Sequence, residues 1–466
     1  MALQFQAIRY REFSGGMNSK VVGHLILDSE TKLSQNCILD DPIGAVTKRK
    51  GYSQIGGQIT ASEDILGNYY FTSSTSANSQ HLVGCGTAIY YNSSGTWTLT
   101  SSSWTADTKI RFESFLDRVF AFNGTDTPVS WAGTGGWGNT DLVSAPICKY
   151  GRVYQDRFYF ANASGNQSRV YFSSVPTSGV ITWATSTDYL DVNPEDGQVI
   201  TGLDENSGRL LIFKNDSMFR WNGYSTEADP IIDIGTPSQE SVKTIHNITY
   251  FFNRYGVYAY DGGMPYLISR KVQDWIDAID QSTLDDVIAE VDNDHYYCAV
   301  GDVTVDSVSY SNVVLVYHIP LKAWTIWTLV DTPKAMACYY SSGARLVSFG
   351  DDNGEVFRLN NGNDDDGTAI NVNIETKQYD LETPEEYKKW TEAYLLTEKA
   401  RGLVEVGVKI DNNPIETIGS IEDDITRLPS NLEGSKLAVT LAENGTGNQW
   451  SFNQLIFKDI MLLGTK

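Results

Sequence analysis

The sequence predicts an all-β protein: a roughly seven-bladed β-propeller with an extended N-terminal arm, a short helical insertion and a C-terminal β-sandwich. Three observations lead there. Strand–turn–strand units recur through the middle of the chain. The composition is that of a folded β protein, with 26 Tyr and 11 Trp among 466 residues and 20% charged. After "NNGNDDDGTA" (360–369) the recurring pattern stops and a different alternation begins. The resulting organisation is an arm over residues 1–60, a propeller over 61–363 with its helical insertion at about 270–290, and a sandwich over 364–466.

The first sixty residues hold Gly-rich turns and short apolar runs with little amphipathic periodicity, as in "FSGGMNSKVVGHLILDSETKLSQNCILDDPIGAVTKRKGYSQIG". They read as an extended arm. Lys48, Arg49 and Lys50 ahead of Gly51 read as the end of a hairpin rather than a nuclear signal or a phosphate contact.

The repeats follow. "NYYFTSS" and "TAIYYNSSGTWTLTSS" come first, then "DRVFAFNGTDTPVSWAG" and "DRFYFANASGNQSRVYFSSV". "RLLIFKNDSMFRWNG", "ITYFFNRYGVYAYDGG", "HYYCAV" with "NVVLVYHIPLKAWTIWTL", and "ARLVSFGDDNGEVFRLNNG" continue the series. Each unit is an apolar strand, a polar turn and a second strand ending in an aromatic residue. Asn-Gly, Asp-Gly and Gly-Gly tolerate the positive φ of tight hairpins. The spacing of roughly 30–45 residues is that of solenoids and propellers, and about seven units fit between residues 60 and 363. A lone hairpin cannot bury its own faces, whereas small sheets closed into a ring can. "YFFNRYGVYAYDGG" (250–263) reads as the two inner strands of one blade. A series of β-sandwiches is the competing architecture.

One stretch departs from this pattern. In "SRKVQDWIDAIDQSTLDDVIAEV" (269–291), Val272, Trp275, Ile276 and Ile279 share one helical face, and Leu284, Val287 and Ile288 form a second short one. A helix packed on the ring is the plainer reading, and a docking element for a neighbour the sharper one. Beyond residue 364, Ile370, Val372 and Ile374, and then Val404, Val406, Val408 and Ile410, alternate as strands of a sandwich. "LETPEEYKKWTEAYLLTEKA" has helix-forming composition, but Trp390, Tyr394 and Leu396 suit a turn followed by a strand. Asp364-Asp365-Asp366-Gly367 lacks the ligand spacing of a calcium loop and reads as a solvated linker.

The formal net charge of −23 opposes nucleic-acid binding by phosphate neutralisation and favours repulsion from DNA and anionic membranes. Cys37, Cys85, Cys148, Cys298 and Cys338 are scattered and form no C-x-x-C pair, so they read as buried free thiols. The opening "MALQFQAIRYREF" has charges where a signal peptide needs an apolar region, and no run approaches the ~18 apolar residues of a membrane span. The expectation is a protein made in a cytoplasm, not exported and not inserted in a membrane.

Nucleophile, metalloprotease and P-loop motifs are missing from the sequence. His24, His81, His246, His295 and His318 are dispersed, and His318 reads as a satisfied strand residue. Asp204, Asp233 and Asp294 are candidates for a glycosidase-like pair in a propeller channel, with little to single them out among 58 acidic residues. The expectation is therefore no catalytic, cofactor-binding or metal-ligating residue, no cofactor, and no enzyme.

The arm also carries a resemblance. "FSGGMNSK", "LDSETKLSQNCILD" and "GAVTKRKGYSQIG" resemble the opening of β-propeller tail proteins of bacteriophages. The matching residues are Gly15, Gly16, Met17, Asn18, Asn36, Gly44, Lys48, Arg49, Gly51 and Tyr52; Lys50 stands where such openings often carry Pro. "RLLIFKNDSMFRWNG" and then "IGTPSQESVKTIHNITYFFNRYGVYAYDGGMPYLISRKVQDWIDAI" are similar in layout to the tail hub, or packaged-DNA stabilisation, proteins of short-tailed phages. "IETKQYDLETPEEYKKWTEAYL" resembles the entry to their terminal sandwich.

The resemblance implies a virion structural protein of the tail, assembled in the bacterial host cytoplasm. It implies a homo-oligomeric, six-fold (hexameric) ring below the portal and adaptor, a hub or nozzle that retains and then passes DNA as non-specific cargo during DNA ejection. Its partners would be the portal–adaptor and other tail proteins such as fibres or a needle. The alternative is a carbohydrate-active or glycan-binding propeller, either a tail-tip receptor binder or a glycosidase.

Overall fold

The computed structural model of the chain describes residues 4–5, 7–341, 343–400, 402–428, 432–447 and 449–465. Seven sets of antiparallel strands follow one another along the middle of the chain, the sixth as part of a larger sheet. The first runs from Ile65–Phe71 to Thr96–Ser102, the second from Arg111–Phe115 to Val129–Trp131, and the third from Cys148–Tyr154 to Tyr189–Asp191. Ile200–Asn206 opens the fourth, Lys243–Ile245 the fifth, Ile288–Val291 the sixth and Ala335–Ser341 the seventh. These seven opening strands pack side by side in sequence order, and the last packs against the first. The chain is a closed seven-bladed propeller.

Many of its hairpins turn without the expected glycines. Gln155–Asp156, His246–Asn247 and Asp306–Ser307 hold both central residues at positive φ, between strands paired at Tyr154↔Arg157, Ile245↔Ile248 and Val305↔Val308. That is the primed turn whose twist matches the flanking strands. "YFFNRYGVYAYDGG" supplies most of Ile248–Asn253 and all of Gly256–Tyr260, the second and third strands of blade five. They are the two inner strands of that four-stranded blade, as expected, and the shorter Lys243–Ile245 is the strand on the axis.

Each gap between neighbouring blades holds its own apolar cluster. Phe120 and Phe122 of blade two meet Phe158 and Phe160 of blade three. Ile65 and Val83 of blade one meet Ala335 and Val356 of blade seven. A fully buried side chain of this size contributes about 1.5–3 kcal/mol, so closing the ring adds one more cluster at no extra chain length. The insertion is shorter than its composition predicts. Only Gln273–Asp277 is α-helical, between 3₁₀ turns at Arg270–Val272 and Leu284–Asp286. Val272, Trp275, Ile276 and Ile279 are buried between blades five and six, as a packing helix requires. The second face does not form, because Ile288 begins a strand of blade six.

Residues 4–54 form no free arm. Tyr52–Gln54 is the fourth strand of blade seven, paired with Val356–Leu359, so the two ends of the ring are joined by a ladder. Glu30–Gln35 lies between blade six and the sandwich strand Ile370–Thr376, making one ten-stranded sheet that runs through both bodies. Ile8–Tyr10 and Ile43–Lys48 pair with Ser451–Lys458, and Cys37–Asp40 pairs with Ile43–Lys48. The sandwich core accordingly mixes Phe13, Cys37, Leu39 and Val46 with Ile374, Trp390, Val406 and Phe457. Glu386–Trp390 and Glu392–Glu398 are strands, as their apolar positions predict over their helical composition.

Candidate functional site

The seven axial strands enclose a channel of about 360 Å³. On an axial strand alternate residues point inward; Arg111, Glu113, Arg152, Asp204, Lys243 and Glu290 do so here, and further charged residues join the lining from beside the axial strands. Basic Lys109, Arg111, Arg152, Lys243, Lys334 and Arg345 outnumber acidic Glu113, Asp204, Glu240 and Glu290 along the lining. The chain's negative excess therefore lies elsewhere; Asp191, Asp196, Asp216, Glu227 and Asp233 surround one cleft near blades three and four.

Most channel charges are paired. Arg152 reaches Glu113 at 3.3 Å and Asp204 at 3.0 Å. Asp204 also accepts a hydrogen bond from the Thr244 hydroxyl at 2.6 Å. Burial pushes the Glu113 carboxyl up, and Arg152 only partly offsets this. The Arg152 guanidinium is stabilised as a cation chiefly by Glu113. Arg111 contacts Glu240 at 2.7 Å. Burial raises the Glu240 carboxyl, but Arg111, Lys109 and Lys243 outweigh it and bring the value to about 2. Lys243 meets Glu290 at 3.1 Å, and Arg345 Nε donates to Cys338 Sγ at 2.7 Å. Fixed cations thus stand beside each of the channel's carboxylates, although burial still leaves the Glu113 carboxyl raised.

Of the carboxylates singled out by sequence, only Asp204 lies on the axis. Asp233 is exposed in the peripheral cleft, and Asp294 is exposed at the start of a blade-six hairpin. The four buried cysteines and the half-buried Cys338 are free, as expected.

A second polar centre lies where propeller, sandwich and N-terminal segment meet. Arg49 uses all five of its N–H donors there. Nε donates to Asn36 Oδ1 at 2.9 Å, and the two Nη groups take Asp365 bidentately at 2.7 and 2.6 Å. The remaining donors reach the Lys50 carbonyl at 3.0 Å and the Thr328 carbonyl at 3.1 Å. Asn36, at a φ of 57°, in turn donates to Thr328 Oγ1 and to the Asn371 carbonyl. Lys48 and Glu443 form a second ion pair at 2.8 Å, with side chains 0% and 2% exposed. Lys48 does end a hairpin, paired with Cys37, but it and Arg49 are buried there and only Lys50 is exposed. The aspartate run is no solvated linker either, since Asp365 is buried against Arg49. Gly51 passes so close that a Cβ there would lie 1.7 Å from the Asp364 carbonyl oxygen. Tyr52 is buried and donates to Asp331 at 2.8 Å.

The histidines are not all dispersed. His295 and His318 face each other across the central hairpin of blade six, and Asp40 of the N-terminal segment approaches both. This cluster escaped the sequence because its members are far apart in the chain; the signal was their placement at opposite ends of one hairpin. His81 is a satisfied core residue: its Nε2 lies 2.7 Å from Asn68 Oδ1, and burial lowers its pKa to about 3.

No family model matches the chain, and no curated protein does. Among solved structures, YCF48 bound to D1 peptide is 10% identical with a TM-score of 0.40, covering 66% of this chain and 96% of that one. The N-terminal domain of Nup159 is 12% identical with a TM-score of 0.41, covering 70% and 98%. A Saccharomyces cerevisiae Dbp5 complex containing Nup159 gives 11% and 0.39, covering 68% and 96%. The likeness is confined to the course of the backbone. No helix among the described residues is long and apolar enough to cross a membrane.

Proposed function

We propose that the chain is a non-catalytic structural subunit of a bacteriophage tail, a homo-oligomeric ring component that forms a hub or nozzle and lets DNA pass. The observation that supports it is the fate of the residues that carry the resemblance. Met17, Asn18, Asn36, Lys48, Arg49 and Tyr52 are all buried at the junction, and Gly16 fits its backbone, at a φ of 71°, against Ala323 and Trp324. These residues lock two β bodies into one unit. A subunit that transmits load between neighbours needs such a lock, whereas an enzyme or sugar binder needs an open, chemically poised cavity.

The charge distribution fits the same role. An acidic exterior repels a polyanion and keeps its passage free of sticking contacts, while the axial channel of each propeller is lined by its own ion pairs. Ring formation requires head-to-tail contacts that close. The test is to mix the purified chain with portal–adaptor complexes of a short-tailed phage and measure the mass of what forms. A stoichiometric ring on the adaptor is expected. A chain that stays monomeric both alone and with the adaptor overturns the proposal.

A further inference from the structure

We propose that Asp40, His295 and His318 form a binding site for a divalent transition-metal ion of the zinc class, fastening the N-terminal segment to blade six. The three side chains offer ligand atoms to one point. His295 Nε2 lies 3.1 Å from Asp40 Oδ2 and 3.1 Å from His318 Nδ1, and His318 Nδ1 lies 3.9 Å from Asp40 Oδ1. Ligands at about 2.0–2.1 Å from a tetrahedral ion are separated by about 3.3 Å. Both His295 distances are close to that value, and His318 faces the other oxygen of the same carboxylate, so an ion fits among the three side chains with a small turn of Asp40.

The far side of each imidazole is already engaged. His295 Nδ1 sits 3.2 Å from both oxygens of Asp292, and Asp292 is itself held by the Tyr297 hydroxyl at 2.8 Å. His318 Nε2 lies 3.1 Å from the Thr325 hydroxyl. An imidazole that donates its proton outward to a carboxylate or hydroxyl presents a lone pair inward, the arrangement found behind metal-bound histidines. With both imidazoles in that tautomer, two ring lone pairs and the Asp40 carboxylate converge on one point, where a metal ion takes the place of the proton otherwise shared between His295 and His318. His318 is 1% exposed and His295 12%, whereas Asp40 is 29% exposed, leaving an entry route and a fourth position for water.

Two histidines and one carboxylate suit zinc and its neighbours rather than calcium or magnesium, which take oxygen ligands. The ligands come from both bodies: Asp40 ends the strand Cys37–Asp40, which joins a sandwich sheet through Ile43–Lys48, and the histidines belong to the propeller. The ion would act as a cross-link over a long loop.

The test uses the full chain, stripped with a chelator and titrated with Co²⁺ and with Zn²⁺. One Co²⁺ per chain is expected, with the visible absorption of a four-coordinate site, displaced by Zn²⁺. His318→Gln and Asp40→Asn are expected to abolish that absorption. Asp292→Asn, which leaves the ligands in place, is expected to weaken Zn²⁺ by about 10–100-fold. If the wild-type chain, folded by circular dichroism, takes up no stoichiometric Co²⁺, a proton rather than a metal occupies the centre and the proposal is overturned. Uptake that is unchanged in both ligand variants overturns it equally, whatever their stability.

Discussion

Arg49 is where side-chain chemistry most plainly decides the fold. Its fork serves the N-terminal segment, blade six and the Asp365 linker at once, and its guanidinium also stacks 5.3 Å from the centre of the Trp327 ring. Lysine keeps the charge but has neither the fork nor the five donors. Arg49→Lys should therefore destabilise the chain by about 2 kcal/mol, and Arg49→Met, which strands Asp365 in the interior, by about 3–5 kcal/mol. Urea denaturation measures both, and a loss below a few tenths for Arg49→Met would contradict the assignment. Glu240 gives a pH signature. Its folded value of about 2 lies below the ordinary 4.5, so its pairing adds stability that is fully present above pH 4.5 and is lost as pH falls towards 2. The stability gap between wild type and Glu240→Gln should be on the order of 2 kcal/mol at neutral pH and close as pH drops through that window. A gap independent of pH would show that Arg111 does not hold the carboxylate.

At the scale of elements, the hairpins were legible in the sequence because each pairs residues close together in the chain. Alternating apolar and aromatic residues around a turn carry their own register. The helical stripe was legible for the same reason, although its second half lost to strand formation at Ile288. What the sequence did not reveal was non-local. Tyr52–Gln54 pairs with Val356–Leu359 across most of the ring, and Glu30–Gln35 is shared between two bodies. Nothing in three or six residues says which distant edge they will join. The His295–His318 pair was hidden likewise, until register placed the two ends of a hairpin side by side. The shared strands have a measurable consequence. Amides of residues 52–54 should exchange with deuterium as slowly as those of the blade-seven core, because opening them opens the ring. Gly51→Ala forces its Cβ onto the Asp364 carbonyl and should speed exchange in 52–54 and 356–359 while leaving blade three unchanged. Uniform exchange across all blades in that variant would argue against a local closure.

For the whole molecule, the interlock makes two bodies into one mechanical unit. A ten-stranded sheet crosses the boundary, buried ion pairs pin it, and neither body holds its full strand complement without residues 4–54. Heating should therefore give one cooperative transition, with calorimetric and van't Hoff enthalpies in agreement. Two separated transitions would mean that propeller and sandwich unfold independently. Rigidity of this kind, an acidic exterior and an axial channel lined by its own ion pairs suit the proposed part, which holds position while a polyanion moves past. The most direct measurement is to image intact short-tailed phage particles that carry a label on this chain. Label is expected in the tail, beneath the portal, in a ring of equivalent positions. Particles that contain no label, or label confined to single copies away from the tail axis, would contradict it.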